Sequence, residues 1–153
     1  MTKMLLTDFS SERWNGINMD DVKECLIDVQ KRVEDSGRLL GELEHPYTFE
    51  VSLNKVSHSI KNIELVEDKI YGEVEILNTP QGKSAKLVGD LMEGKYRMGL
   101  RGSGRTEKKI KNTSEQIFSE MDPYGEENWN DEVETVQEIR MYKIYTWDLL
   151  QID

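Results

Sequence analysis

Apolar residues recur along this chain with two different periods, and the periods predict where helices and strands lie. A helical spacing of four, three and four residues is shared by Val22, Leu26, Val29 and Val33. The carboxylates of Asp20 and Asp21 suit the positive end of that helix, and Gly37 is a natural end for it. Cys25 falls within the same helix, where core packing is the expected role.

Strand-like alternation dominates the segments around this helix. Leu5 to Phe9 predicts a short strand, and apolar residues at positions 49, 51 and 53 predict a half-buried one. A hairpin is predicted from the β-rich run 56–66, a turn at Asp68 and Lys69, and a second alternating run. One face of this second run carries Ile70, Gly72, Val74 and Ile76.

The second half of the chain repeats the pattern. Asn78 to Gly82 predicts a turn, and a short helix ending at Gly94 follows, with a buried side made of Ala85, Val88, Leu91 and Met92. Residues 95–101 alternate again, and 136–150 is strand-like. We therefore expect one α+β domain over 1–153, with a mostly antiparallel, barrel-like sheet and two main helices.

Charge and cysteine content narrow the classes of function. The chain has 153 residues and a formal net charge of −10, which opposes bulk binding to nucleic acid or to an anionic membrane. A local basic patch remains compatible with that total. The single cysteine excludes an internal disulfide framework and suits a reducing compartment. With no signal peptide or membrane span visible, we expect a cytoplasmic location.

Opposite charges are concentrated in neighbouring segments. Residues 95–111 carry seven basic residues and one acid, whereas 112–134 carry eight acids and no base. The acidic segment predicts either a mobile insertion, whose apolar side chains dock transiently, or a solvated loop. It could also lie over the basic segment and partly neutralise it.

The densest run of special residues is Gly37 to Pro46, with the sequence GRLLGELEHP. It holds His45, one of only two histidines, beside acidic residues and before a proline. A helix end running into a strand is the simpler interpretation. The second histidine, His58, lies in a predicted strand, where it either orients a partner near His45 or makes a structural hydrogen bond.

Several motifs in this order resemble the prohead (procapsid) maturation proteases of tailed phages, a family related in fold to the herpesvirus assemblins. The similar pieces are the helix ending in GRLLGELEHP, the VSHSI strand, the IYGEVEILNTPQGK hairpin and turn, the helix after it, the strand entering RGSG, and the final KIYTWDLL. They cover roughly 15–105 and 137–150. The resemblance implies a phage or prophage source, serine proteolysis, capsid partners, and residence in the host cytoplasm or the prohead.

The family's motifs carry over only in part. Its histidine lies in G-E-L-[DN]-H-P, which corresponds to His45, although Glu44 departs from the pattern. Its nucleophile lies in a motif similar to G-[VI]-S-S-R-G-x-G, and here Gly99 and Leu100 stand where the two serines belong. The motif serine is therefore missing. Ser103 lies three or four residues beyond the motif position, and a strand advances about 3.3 Å per residue, so its hydroxyl is displaced by about 10 Å or more. It could replace the motif serine only if the loop were re-registered.

Two functions follow as hypotheses. The first is a catalytically impaired relative that acts by binding. It either regulates head maturation through a capsid, scaffold or protease protein, or captures a small anionic host-defence ligand such as a nucleotide. Its expected anion cradle is a loop over 99–105, built with the preceding strand from Arg97, Gly99, Arg101, Gly102, Gly104 and Arg105. The second is an active serine protease with His45 as base and Ser103 as nucleophile. The sequence predicts no metal site and no cofactor, and it leaves homo-oligomerisation open.

Overall fold

Six strands and two α-helices make up the described part of the chain. The structure is a computed structural model that describes residues 2–44, 48–91, 96–112 and 133–151. In chain order the elements are β1 (Thr2–Asp8), α1 (Met19–Ser36), β2 (Leu39–Glu42), β3 (Val56–Val66), β4 (Lys69–Ile76), α2 (Pro80–Leu91), β5 (Tyr96–Asn112) and β6 (Val133–Gln151). The α+β class predicted from the sequence is confirmed.

Helix α1 has the termini and the buried face that its sequence predicts. The side chain of Asn18 accepts a hydrogen bond from the Asp21 amide at the N-terminus. At the other end Gly37 has a φ of 86°, a left-handed conformation that glycine adopts without strain. The buried face consists of Val22, Cys25, Leu26 and Val29, with Val33 partly buried against the core.

The first four strands form an antiparallel sheet in the order β1-β4-β3-β2. The predicted β3–β4 hairpin is confirmed. Its turn consists of Glu67 and Asp68, one residue earlier than predicted, and Glu67 takes a positive φ of 59°. Asparagine or glycine would adopt that conformation more readily, so this turn lacks the residue type that marks such a turn in a sequence.

The strand predicted over 49–53 is wrong. The chain bends at 48–50 and then makes a single 3-10 turn, Leu53–Lys55, with Phe49 53% and Leu53 78% exposed. The ring of Phe49 stacks on Tyr145 with centroids 5.0 Å apart. Alternation alone does not make a strand when no neighbouring strand offers backbone partners, and here contacts to β6 fix the segment.

The turn predicted over 78–82 is also wrong in part, because α2 begins inside it. Pro80 is the first helical residue, and the Thr79 hydroxyl accepts a hydrogen bond from the Gly82 amide at 2.9 Å. A threonine cap followed by proline is a helix-start signal. On the predicted buried side, Ala85 is buried; the side chains of Val88, Leu91 and Met92, and Gly94, lie outside the described residues.

Strands β5 and β6 form a long antiparallel hairpin of 17 and 19 residues. The predicted strand over 136–150 is confirmed. The predicted glycine loop over 99–105 is wrong, since the strand continues through it. Two β-bulges interrupt the ladder there, and each adds one residue to β6, namely Tyr145 and then Tyr142. The acidic segment predicted to be an insertion lies, apart from its ends, outside the described residues.

The two sheets face each other around one core but do not close into the predicted barrel. Fully buried side chains from both sheets and α1 meet in this core, the largest being Trp147, Ile60, Ile70 and Ile144. Strand β2 joins β6 mainly through side chains: the Thr146 hydroxyl donates to Leu40 O at 2.7 Å, and Asp148 accepts from the Glu42 amide at 3.0 Å. We call this junction the β2–β6 seam.

On the opposite side, β1 and β5 border a cleft, which we call the β1–β5 seam. In the described residues β1 pairs only with β4, and β5 only with β6. The seam is bridged at depth by Trp147, whose indole nitrogen donates to the Thr7 hydroxyl at 2.8 Å. The β2–β6 seam is therefore joined by hydrogen bonds, whereas the β1–β5 seam is open.

None of the helices that the structure describes is long and apolar enough to cross a membrane.

Candidate functional site

A buried charge cluster lies where β2, β5 and β6 meet, at the position of the nucleophile motif. Arg101 on β5 contacts Asp148 on β6 through two hydrogen bonds, from Nε to Oδ2 at 2.9 Å and from Nη2 to Oδ1 at 2.5 Å. Its Nη2 also donates to Glu42 Oε2 on β2 at 2.9 Å. The three side chains are between 0% and 5% exposed, so water reaches none of them freely.

The same cluster holds the irregular segment before β3. Arg101 Nη1 donates to the carbonyl of Glu50 at 3.0 Å, and the Ser52 amide lies 3.3 Å from Glu42 Oε2. Asp148 also accepts from the Glu42 amide. Three strands and one loop thus depend on a single guanidinium, whose planar fork suits paired carboxylates.

The guanidinium is committed to these internal partners. Burial by itself lowers the pKa of Arg101, but hydrogen bonds and charge from Asp148 and Glu42 outweigh it and raise that pKa above its usual value. Two carboxylates surround one cation, leaving no positive charge to attract an external anion. The prediction that Arg101 belongs to an open anion cradle is therefore corrected, and its role is internal.

Gly99, the motif position, pairs directly with Asp148 in the β5–β6 ladder and is buried. Neither Gly99 nor Leu100 offers a hydroxyl at this point. His45, the predicted base, lies outside the described residues. The last described residue before it, Glu44, donates its amide to Leu149 O at 2.8 Å, so the chain enters that segment beside β6.

Ser103 occupies a different part of the hairpin. It pairs with Lys143 and borders a small cavity of about 170 Å³ with Trp14. Leu149, which accepts the Glu44 amide just ahead of His45, pairs with Met98 on β5. Ser103 lies five residues from Met98 along β5, or about 16 Å of strand. Among the described residues, no hydrogen bond joins Ser103 to a histidine or a carboxylate.

The remaining cradle residues do not converge on one point. Arg105 forms an exposed pair with Glu107 at 2.5 Å, whereas Arg97 lies exposed at the β1–β5 seam. A Cβ on Gly102 would lie 2.6 Å from Lys143 O, and one on Gly104 only 2.3 Å from Arg140 O. These glycines permit close approach of β6, rather than exposing amides to a ligand.

His58 is a buried, neutral hydrogen-bonding group. Its Nε2 lies 2.8 Å from the Trp147 carbonyl, which can only accept, so the ring proton resides on Nε2. Nδ1 then accepts from the Ser57 hydroxyl at 2.7 Å. Burial lowers the pKa of His58 below its usual value. Of the two roles considered for His58, these contacts fit the structural hydrogen bond.

Gly41 makes that arrangement possible. A Cβ there would lie 2.3 Å from His58 Nε2 and 2.4 Å from Trp147 O. The glycine of the GELEHP motif thus lets an imidazole reach across β2 to β6. The histidine of this motif was predicted to be functional, whereas the role of its glycine was not predicted.

The pairing of Asp148 and Glu42 with Arg101 was not predicted either. The available signal was an acidic residue inside the apolar run YTWDLL, since an unpaired carboxylate is rarely buried. Such an acid predicts a basic partner but does not identify it. In the part of the chain that the structure describes, no group of three or more histidine, cysteine or acidic residues is arranged to hold a metal ion.

Comparison with known proteins gives a likeness in fold. No family model matches the sequence, and no curated protein matches it. The structure is similar to that of the bacteriophage T4 capsid assembly protease, gp21, with a TM-score of 0.57 over 97% of this chain and 80% of that chain. The chain has a prohead-protease-like fold. The two sequences are only 13% identical, so the likeness shows the fold alone.

Proposed function

We propose that this protein is a non-proteolytic phage protein on a prohead-protease-like fold, and that it acts in head assembly by binding another protein. One observation carries the proposal. At the motif position, Gly99 faces Asp148 in the ladder, and the neighbouring Arg101 is enclosed with two carboxylates. A serine protease needs a nucleophilic hydroxyl at this position, which neither Gly99 nor Leu100 provides. It also needs free donors for the oxyanion, whereas the Arg101 guanidinium is held by internal partners.

The choice of process rests on the fold likeness to a capsid assembly protease. A protein of this fold that lacks the nucleophile can still bind capsid, scaffold or protease proteins through its surface. Binding is then the activity that remains. The open β1–β5 seam supports this, because exposed strand edges are common sites for protein partners.

Labelling with a serine-directed fluorophosphonate tests the absence of catalysis. The wild-type protein is expected to stay unlabelled under conditions in which an added active serine protease is labelled. The matched variants are Ser103→Ala and His45→Ala, which should behave as the wild type does. Labelling of the wild type that disappears in both variants would establish the active protease instead.

Co-purification tests whether the protein binds another protein of head assembly. The tagged protein is expressed with the major capsid protein and the scaffold protein encoded by the same phage genome. At least one is expected to co-purify, and Ser103→Ala should not alter its recovery. If neither protein is retained, the proposed place in head assembly is wrong.

A further inference from the structure

The β1–β5 seam is a cleft between two strand edges. Its volume is about 510 Å³, and its walls are residues 4–8 of β1 and residues 96–100 of β5. Neither strand has a backbone partner on this side among the described residues. Each wall therefore presents unpaired amide and carbonyl groups, which are the groups that an added strand pairs with.

The floor of the cleft is apolar. Leu6 and Met98, one from each wall, are almost completely buried beneath it. The accessible apolar surface of the cleft comes from Leu5, which is 44% exposed, and from the half-buried Trp14 and Leu100. An extended peptide presents alternate side chains to opposite sides, so every second residue would meet this apolar surface.

The rim of the cleft is basic, although the whole chain carries a net charge of −10. Arg13 and Arg97 both line it and are exposed. Among the described residues neither arginine forms an ion pair, and Arg13 lies over the Trp14 ring. The acid in the cleft, Asp8, already accepts hydrogen bonds from the amide and hydroxyl of Ser10 at 2.9 and 2.5 Å.

We propose that the β1–β5 seam binds an extended segment of a partner protein, in which apolar residues alternate with acidic ones. The segment lies along the cleft in an extended conformation and hydrogen-bonds to the free backbone groups of β1 or β5. It places its apolar side chains against Leu5 and Trp14 and pairs its carboxylates with Arg13 and Arg97. The inference rests on the proposed function, because it names the surface and the partner chemistry through which binding occurs.

A fluorescein-labelled octapeptide that alternates valine and glutamate is the first probe. Two control peptides replace glutamate by lysine, or carry N-methyl groups on alternate amides so that one backbone edge cannot pair. Fluorescence anisotropy measures the affinity, and amide chemical shifts locate the site. We expect the acidic peptide to bind more tightly than both controls and to shift the amides of residues 4–8 and 96–100.

The protein variants reverse the charge of the two arginines at the cleft. Arg13→Glu with Arg97→Glu is expected to weaken binding of the acidic peptide about tenfold, since two exposed attractions become repulsions. The same variant should bind the lysine peptide better than the wild type does. Arg38→Glu, at an exposed arginine outside this cleft, is the matched control and should leave the affinity unchanged.

Any of four results would overturn the inference. The first is no binding of the acidic peptide at about 1 mM. The second is equal binding of the N-methylated peptide. The third is unchanged affinity in the doubly reversed variant. The fourth is sedimentation showing that a second copy of this chain fills the seam. In each case the co-purification of a capsid or scaffold protein could still succeed, so the proposed function is judged separately.

Discussion

The Glu42–Arg101–Asp148 cluster places three charges where water does not solvate them. Such a cluster is tolerated only while every member keeps its partners, because each ion loses hydration on folding. Its contribution therefore lies less in added stability than in the large penalty for breaking it. It also requires β2, β5 and β6 to stay in one relative position.

Arg101→Met tests this penalty. We expect the free energy of unfolding to fall by about 3 to 5 kcal/mol, since the change leaves Glu42 and Asp148 buried without a cation. Glu107→Gln is the control, because it breaks the exposed pair with Arg105 and should cost less than about 1 kcal/mol. Urea denaturation measures both, and equal losses would show that the cluster is solvated.

His58 predicts a pH dependence of stability. Burial lowers the pKa of His58 in the folded protein below the usual histidine value of 6.5, so the unfolded chain binds a proton at a higher pH than the folded one. Stability should therefore be full above pH 6.5 and fall as the pH drops from 6.5 toward about 5, before most carboxylates titrate. In His58→Gln the slope over that window should flatten. An unchanged slope would assign the titration to another group.

Single-residue predictions succeeded where one local rule decides the outcome. Cys25 was placed in the core by its helical spacing, and Gly37 at a helix end by its conformational freedom. Arg101 was misjudged because alternation separates the two faces of a strand without showing which one a second sheet will cover. That information lies in Asp148 and Glu42, which are distant in sequence.

At the scale of elements, the C-terminus of α1 isolates a backbone effect. An added Cβ on Gly37 would meet nothing within 4 Å, so only the positive φ opposes a side chain there. We expect Gly37→Ala to lower the free energy of unfolding by about 1 kcal/mol. Gly37→Asn should lose less, because asparagine tolerates this conformation better. If alanine and glycine gave equal stability by urea denaturation, the helix would end elsewhere.

The elements predicted correctly are those with strong periodicity and a defined end, such as α1 and the β3–β4 hairpin. The elements that were predicted wrongly share another property. The segment 49–53 alternates but is held by Tyr145 and Arg101, and the glycine-rich run after Arg101 continues as a strand because β6 supplies a partner for it. In both places long-range contacts outweigh local pattern.

For the whole molecule, the two seams predict a difference in hydrogen exchange. The amides of Glu42, at the end of the edge strand β2, and of Glu44, just beyond it, donate to Asp148 and to the Leu149 carbonyl, so both should exchange slowly. Alternate amides of β1 that point away from β4 should exchange much faster. Mass spectrometry or NMR measures both sets. Slow exchange throughout β1 would mean that the second seam is closed in solution.

The β5–β6 hairpin has unequal sides. Its two strands span the same distance, yet β6 contains two more residues, and both are accounted for by the bulges at Tyr145 and Tyr142. A ribbon with one longer edge must curve, and bulges also increase its twist. One continuous hairpin can therefore cover two differently oriented surfaces: near Leu149 it meets the end of β2, and near Ile139 it meets Ile17, ahead of α1. The difference in length between the two strands therefore sets the curvature of the molecule.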